Sequence, residues 1–155
     1  MLDDIARKYL RMAEEISLRS TCIIRRVGSV IVRNDLAIST GWSGIFSHDA
    51  TDCIKFGCPR CSMQERRSEK AYDYCICMHA EQSAICLAAK NGVALDGTAL
   101  FSTLRPCLQC LCSAISVGVQ YVAYSNQWSY EDEVLEQMHS SLRSKFAAFV
   151  RVGQT

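Results

Sequence analysis

The sequence predicts an α/β domain, and three observations carry that prediction. An amphipathic helix opens the chain, a hairpin of short β-branched runs follows it, and the second half alternates strand-like with helix-like segments. The chain has 155 residues, within the roughly 100 to 200 of one ordinary domain. The expectation is a single domain over 1–155, interrupted by a Cys-rich insertion at about 45–77.

In the first twenty residues Leu2, Ile5, Ala6, Tyr9, Ala13 and Ile16 recur at three- and four-residue steps, while Asp3, Lys8, Arg11 and Glu15 fall between them. This helix is expected to cover a sheet. The runs from Val27 to Val32 and from Leu36 to Thr40 read as strands, joined by the polar turn Arg33-Asn34-Asp35. From Gly41 to Cys77 the periodicity disappears and Cys53, Cys58, Cys61, Cys75 and Cys77 accumulate, so something other than an apolar core must hold this stretch. Ala80 to Lys90 reads as a buried helix stopped by Asn91-Gly92. Thr98 to Thr103 is a strand, Cys107 to Val117 a helix, and Gln120 to Tyr124 a strand, a unit that implies a parallel pair. A helix over Glu131 to Leu142 and a last strand over Phe146 to Val152 complete the series.

Composition narrows the function classes. Seventeen basic against sixteen acidic residues leave a charge of +1, which gives no global field towards nucleic acid or an anionic membrane. No apolar run approaches the roughly 18 residues of a membrane span, and Asp3 and Asp4 stand where a secretory signal carries bases. A cytoplasmic protein is expected. Its ten cysteines, about 6% of the chain, stay below the roughly 8 to 10% of secreted disulfide scaffolds and point to metal instead.

Two segments at expected helix starts carry the chemistry: His79-Ala80-Glu81 and Pro106-Cys107-Leu108-Gln109-Cys110. Their combination resembles the signature of zinc deaminases. One imidazole and two thiolates supply three ligands to Zn2+ and leave a fourth, open position for water. Helix starts favour thiolate through their free N–H groups and dipole. Glu81, two residues after His79, is placed to take a proton from that water, so that hydroxide attacks an amine-bearing ring carbon and ammonia leaves. Main-chain N–H groups near Ala80 and Cys107 are candidates to hold a ring carbonyl. Cys58-Pro59-Arg60-Cys61 has the look of a zinc knuckle and suggests a second, structural Zn2+ that anchors the insertion. Cys86 and Cys112 are expected as small buried hydrophobes, and His48 and His139 as surface residues.

On these motifs the chain is identified as a member of the cytidine and deoxycytidylate (dCMP) deaminase superfamily, and it resembles the bacterial and phage dCMP deaminases most. Arg19-Ser20-Thr21-Cys22, the segment from Arg25 to Val32, Ser39-Thr40-Gly41 and Thr103 to Cys110 extend the resemblance over most of the chain. It implies a three-layer α/β/α fold around a mixed five-stranded sheet, a homo-oligomer, and hydrolytic deamination of a small-molecule substrate, dCMP to dUMP. It also implies a structural zinc on Cys22, Cys53, Cys58 and Cys75, with Cys61 and Cys77 competing for places.

The chain departs from the family at Gly41-Trp42-Ser43-Gly44 and at Glu81-Gln82-Ser83-Ala84, where Ser43 and Ser83 stand in place of the family's asparagines. The resemblance places position 43 at the substrate's sugar, so a different amino-heterocycle is the alternative substrate. For a phosphate, Arg25, Arg26, Arg60, Arg66, Arg67 and Arg105 are the available cations, and Arg60 and Arg105 are the candidates because each adjoins a metal-binding segment. Deamination of a nucleic-acid strand gains no support from the charge balance. A non-catalytic zinc-binding module has no use for Glu81.

Overall fold

Side-chain alternation along the strands decides which helix covers which face of the sheet. The computed structural model describes residues 2–45, 57–62 and 75–153. Its elements are α1 (Leu2–Ser17), β1 (Gly28–Arg33), β2 (Leu36–Trp42), the single turn α2 (Pro59–Ser62), α3 (Ala80–Lys90), β3 (Ala99–Leu104), α4 (Leu108–Ser116), β4 (Tyr121–Asn126), α5 (Glu133–Arg143) and β5 (Ala148–Arg151). The five strands form one sheet in the order β2-β1-β3-β4-β5. β1 is antiparallel to β2 and β3, whereas β3, β4 and β5 run parallel, so the sheet is mixed.

The expected hairpin turn is a two-residue turn with Asn34 at φ 49° and Asp35 at φ 57°. Both are residue types that tolerate the left-handed region, and such a turn matches the twist of paired strands. The hydroxyl of Tyr9 lies 2.6 Å from the Asp35 carbonyl and 2.8 Å from its Oδ1, which ties α1 to this turn.

On one face Val30, Val32, Phe101 and Ala123 pack against Ala6, Tyr9, Leu10 and Ala13 of α1. On the other, Ile31, Leu100 and Val122 pack against Ala84 and Ala88 of α3, Leu111 and Ala114 of α4, and Phe146. Neighbouring positions of one strand thus serve opposite layers, as the period of two requires, and the architecture is α/β/α. Two glycines allow the helices to lie directly on the strands. A Cβ at Gly28 would meet the Ala13 carbonyl of α1, and one at Gly41 would meet the Ala80 carbonyl and the Ala84 nitrogen of α3. Among the described residues no helix is long and apolar enough to cross a membrane.

Three expectations about single residues are corrected. Cys86 and Cys112 are exposed, because Ala84 and Ala88 form the inward face of α3 and Leu111 and Ala114 that of α4. Cys86 lies two residues from each inward alanine, hence on the far side of a helix with 3.6 residues per turn. His139 is fully buried rather than on the surface, with its ring centroid 5.7 Å from that of Phe149 in an edge arrangement. The polar sequence of α5 conceals its single buried position. His48 lies outside the described residues.

Candidate metal centre and active site

The helices α3 and α4 begin side by side on the same face of the sheet, and their first residues carry the chemistry. His79 is the N-cap of α3 and Cys107 the N-cap of α4, both with extended backbone and neither with a side-chain cap bond. Their side chains are thereby available to each other. His79 Nδ1 is 3.3 Å from Cys107 Sγ and 3.5 Å from Cys110 Sγ, and the two sulfurs are 3.5 Å apart. Among the described residues these three form a group whose donor atoms all lie within 4.8 Å of one another.

That triangle fits zinc. Tetrahedral Zn2+ with bonds of roughly 2.3 Å to sulfur and 2.0 Å to nitrogen requires donor separations of about 3.5 to 3.8 Å, within a few tenths of an ångström of those observed. The protonation pattern fits as well. Hydrogen bonding from Cys110, then the imidazole of His79, draws the Cys107 thiol down to about 4 against burial. Cys110 is pushed up by that same bond, by burial and by the charge of Glu81. His79 is raised to about 9, chiefly by its bond to Cys107. One anionic sulfur therefore opposes a second, and a divalent cation between them is what allows both to ionise.

Glu81 is 3% exposed at the first turn of α3, with Oε2 3.4 Å from Cys110 Sγ and Oε1 accepting a hydrogen bond from Ser102 Oγ at 2.8 Å. Burial raises its carboxyl above the usual range, and Cys107 adds to this, while the positive His79 opposes. Ala80 is buried, and its carbonyl accepts from Ser29 Oγ at 2.7 Å, which fixes the start of α3 on β1. Ser29 and Ser102 escaped the sequence reading. The signal for Ser102 was available, because it is a hydroxyl on the strand face that also carries Leu100.

The other expected site residues divide. Cys22, Cys58 and Cys77 form a buried cluster with Cys61 and Cys75 packed against it, while Cys53 lies outside the described residues. Cys22 and Cys75 are each lowered to about 5, first by hydrogen bonds involving Cys77. Arg60 belongs to this cluster, where it hydrogen-bonds Cys75 and favours its thiolate.

Ser43 and Arg105, expected at the substrate, are both buried and engaged by the protein's own groups. Ser43 is buried, and its hydroxyl donates to the Arg25 carbonyl at 2.6 Å, accepts from Val27 N at 2.9 Å and lies 2.7 Å from Ser20 Oγ. It latches the segment before β1 to the end of β2. Arg105 is 2% exposed, with its guanidinium engaged by Glu136, His139 and the Trp128 carbonyl, so no part of it is presented to a phosphate. Ser83 Oγ is buried with no hydrogen-bond partner. A cavity of about 430 Å3 opens where β3 and β4 end, lined among others by Arg25, Arg26, Thr103, Leu104, Asn126 and Trp128.

The family model of the cytidine and deoxycytidylate deaminase zinc-binding region matches residues 3–126. The chain belongs to this family. It is 35% identical over 125 residues to a deoxycytidylate deaminase of Saccharomyces cerevisiae, an alignment covering 81% of this chain and 38% of that protein. A deoxycytidylate deaminase of Schizosaccharomyces pombe is 32% identical over 133 residues, covering 86% of this chain and 40% of that protein. The chain thus spans about two fifths of these two curated relatives. Among solved structures, the dCMP deaminase of cyanophage S-TIM5 in complex with dCMP and dUMP superposes with a TM-score of 0.73 at 26% identity, covering 96% of each chain.

Proposed function

We propose that the chain is a zinc-dependent hydrolase that converts dCMP to dUMP and releases ammonia. The observation that carries this reading is the buried carboxylate of Glu81 set against the His79, Cys107 and Cys110 triangle. The dCMP assignment draws on the names of the two fungal relatives and on the cyanophage enzyme with its bound nucleotides.

His79, Cys107 and Cys110 hold the metal. Zinc, when bound, supplies acidification of a coordinated water. Glu81, whose carboxyl is raised by burial, accepts a proton from the water whose oxygen bonds to C4 of the cytosine ring. It passes that proton to the ring nitrogen, then takes the second proton from the new C4 hydroxyl and delivers it to the amine, the C4–N bond breaks as ammonia leaves, and a carbonyl remains at C4. Ser102 holds Oε1 throughout, which leaves Oε2 to face the metal and the substrate.

The reading extends to a second zinc in the stretch at about 45–77, as an insertion within a single domain. The clustering of Cys22, Cys58 and Cys77 with Cys75 and Cys61 beside them supports it, and Cys53 stays a candidate from the resemblance. A cytoplasmic homo-oligomer completes the reading, supported by the family resemblance. Metal analysis is expected to find two zinc ions per chain, one of them absent after Cys22→Ser.

A second reading keeps the chemistry and changes the ring. Ser43 is consumed by the protein's own groups, and Ser83 stands where the family has asparagine, which supports a pocket altered from the family's at the sugar. Ammonia release across dCMP, CMP, deoxycytidine, cytidine, cytosine, guanine and adenine compounds separates the readings. Preference for dCMP supports the first and preference for another compound the second. Glu81→Gln is expected to abolish release with zinc content unchanged. Release that survives this substitution refutes both.

A further inference from the structure

Four main-chain polar groups flanking Cys107 are held by the last residue of β4 and by the loop and helix that follow it. Arg105 N donates to the Asn126 carbonyl at 2.9 Å, and the Arg105 carbonyl accepts from Trp128 Nε1 at 2.5 Å. The Pro106 carbonyl pairs with His139 Nε2 at 2.9 Å, and Leu108 N donates to the Tyr130 hydroxyl at 3.0 Å. The side chain of Arg105 then closes the circle. It forks onto Glu136 at 2.6 Å and 3.0 Å, reaches the Trp128 carbonyl at 2.7 Å, and meets His139 Nδ1 at 2.6 Å. Glu136 Oε2 also accepts from Tyr130 N at 3.1 Å.

The hydrogen-bond directions in this circuit are determined. A guanidinium only donates, so His139 Nδ1 accepts, and the ring proton resides on Nε2, where it is donated to the Pro106 carbonyl. Arg105 thereby sets the tautomer of His139, and His139 sets the carbonyl that immediately precedes Cys107. Stability alone does not explain such a circuit, because a buried ion pair is often no better than apolar residues of the same volume. Orientation of a metal ligand does explain it, since groups outside the first ring of ligands govern how those ligands are aimed.

We propose that Arg105, Glu136 and His139 are positioning residues for Cys107, so that α5 governs how firmly the His79, Cys107 and Cys110 site retains its zinc. This rests on the reading that these three residues hold the metal. His139→Phe fills the ring's space but removes the donor to Pro106, whereas His139→Gln retains an N–H at the position of Nε2. Val119→Ala, in the core away from the circuit, controls for general loss of stability.

The experiment follows zinc release from the metal-loaded chain to a chelating dye, and the phase missing in Cys110→Ser identifies the ion at this site. Release is expected to quicken about tenfold in His139→Phe, in the range typical of lost outer contacts. His139→Gln and Val119→Ala are expected to stay near the parent rate. Glu136→Gln, at a side chain one-third exposed, keeps the shape of the partner and is expected to fall between, and it decides the matter if His139→Phe does not fold. Parent-like release from His139→Phe, or from Glu136→Gln where that variant decides, overturns the clamp. So does an equal acceleration by Val119→Ala. A parent chain with no zinc phase dependent on Cys110 overturns the metal reading and the clamp together, whereas zinc that is bound but indifferent to α5 overturns the clamp alone.

Discussion

Ser102 Oγ donates to Glu81 Oε1 at 2.8 Å across the space between β3 and the first turn of α3. Both groups are buried, so the bond is shielded from water and aims one oxygen of the carboxylate away from the metal triangle. A hydrogen bond to a charged group contributes roughly 1.5 to 3 kcal/mol, and its loss leaves the carboxylate to reorient. Ser102→Ala is therefore expected to lower kcat for dCMP by about 10- to 100-fold with KM nearly unchanged. Zinc content should equal that of the parent. A raised KM at parent kcat would show that Ser102 serves binding instead.

The grouping of His79, Cys107 and Cys110 with Glu81 was legible because each of its two motifs is local. His79 and Glu81, and Cys107 and Cys110, are short spacings at helix starts whose geometry follows from the helix itself. The strands were legible as short β-branched runs, whereas the helix layers on both faces of the sheet were expected from the family resemblance. The environment of Arg105 was not, since Glu136 and His139 lie 31 and 34 residues further along the chain in a helix that reads as polar. Nor was the role of Ser43, whose partners sit on the irregular segment before β1, where no periodicity announces a contact.

Gly41 and Ser83 meet where α3 crosses β2, and the two positions predict opposite effects on stability. A Cβ at Gly41 would strike the main chain of α3 at Ala80 and Ala84, next to His79. Main chain cannot swing aside, so Gly41→Ala is expected to cost about 3 kcal/mol, at the upper end for overpacking. Ser83→Ala removes a buried hydroxyl that has no partner and introduces the best helix former. It is expected to stabilise by about 1 kcal/mol, or roughly 2 to 4 °C in Tm for a chain of this size. Denaturant melts of the two variants check both signs.

Asp35 predicts a pH dependence remote from the metal. The hydroxyl of Tyr9 first, and then Lys8 Nζ at 3.0 Å, hold its carboxyl below 3.8. Near and below that value the unfolded chain binds more protons than the folded one, so stability falls as the solution is acidified. The contribution is complete above pH 3.8 and disappears as pH drops through the lower folded value. Asparagine accepts the same left-handed backbone, which makes Asp35→Asn the appropriate comparison. The gap in Tm between parent and variant is expected to hold steady at higher pH and to close below about pH 4. Protonation of the zinc ligands affects both chains alike and cancels in the difference.

Among the described residues Arg105 and Arg60 are engaged elsewhere, Arg66 and Arg67 lie outside them, and Arg25 and Arg26 are the cations proposed for a substrate phosphate. Both line the cavity at the ends of β3 and β4 together with Thr103. Thr103 Oγ1 accepts from Gly28 N at 3.2 Å, and the next residue, Ser29, bonds the Ala80 carbonyl beside His79. A short run of β1 thus connects the cavity to the metal ligands. Replacing both arginines by alanine is expected to raise KM for dCMP by about 10- to 100-fold, the equivalent of one or two charge-assisted bonds. Deoxycytidine, which has no phosphate, should show parent-like KM in the same variant. An equal rise for both substrates would place the arginines in support of the fold rather than in recognition of the phosphate.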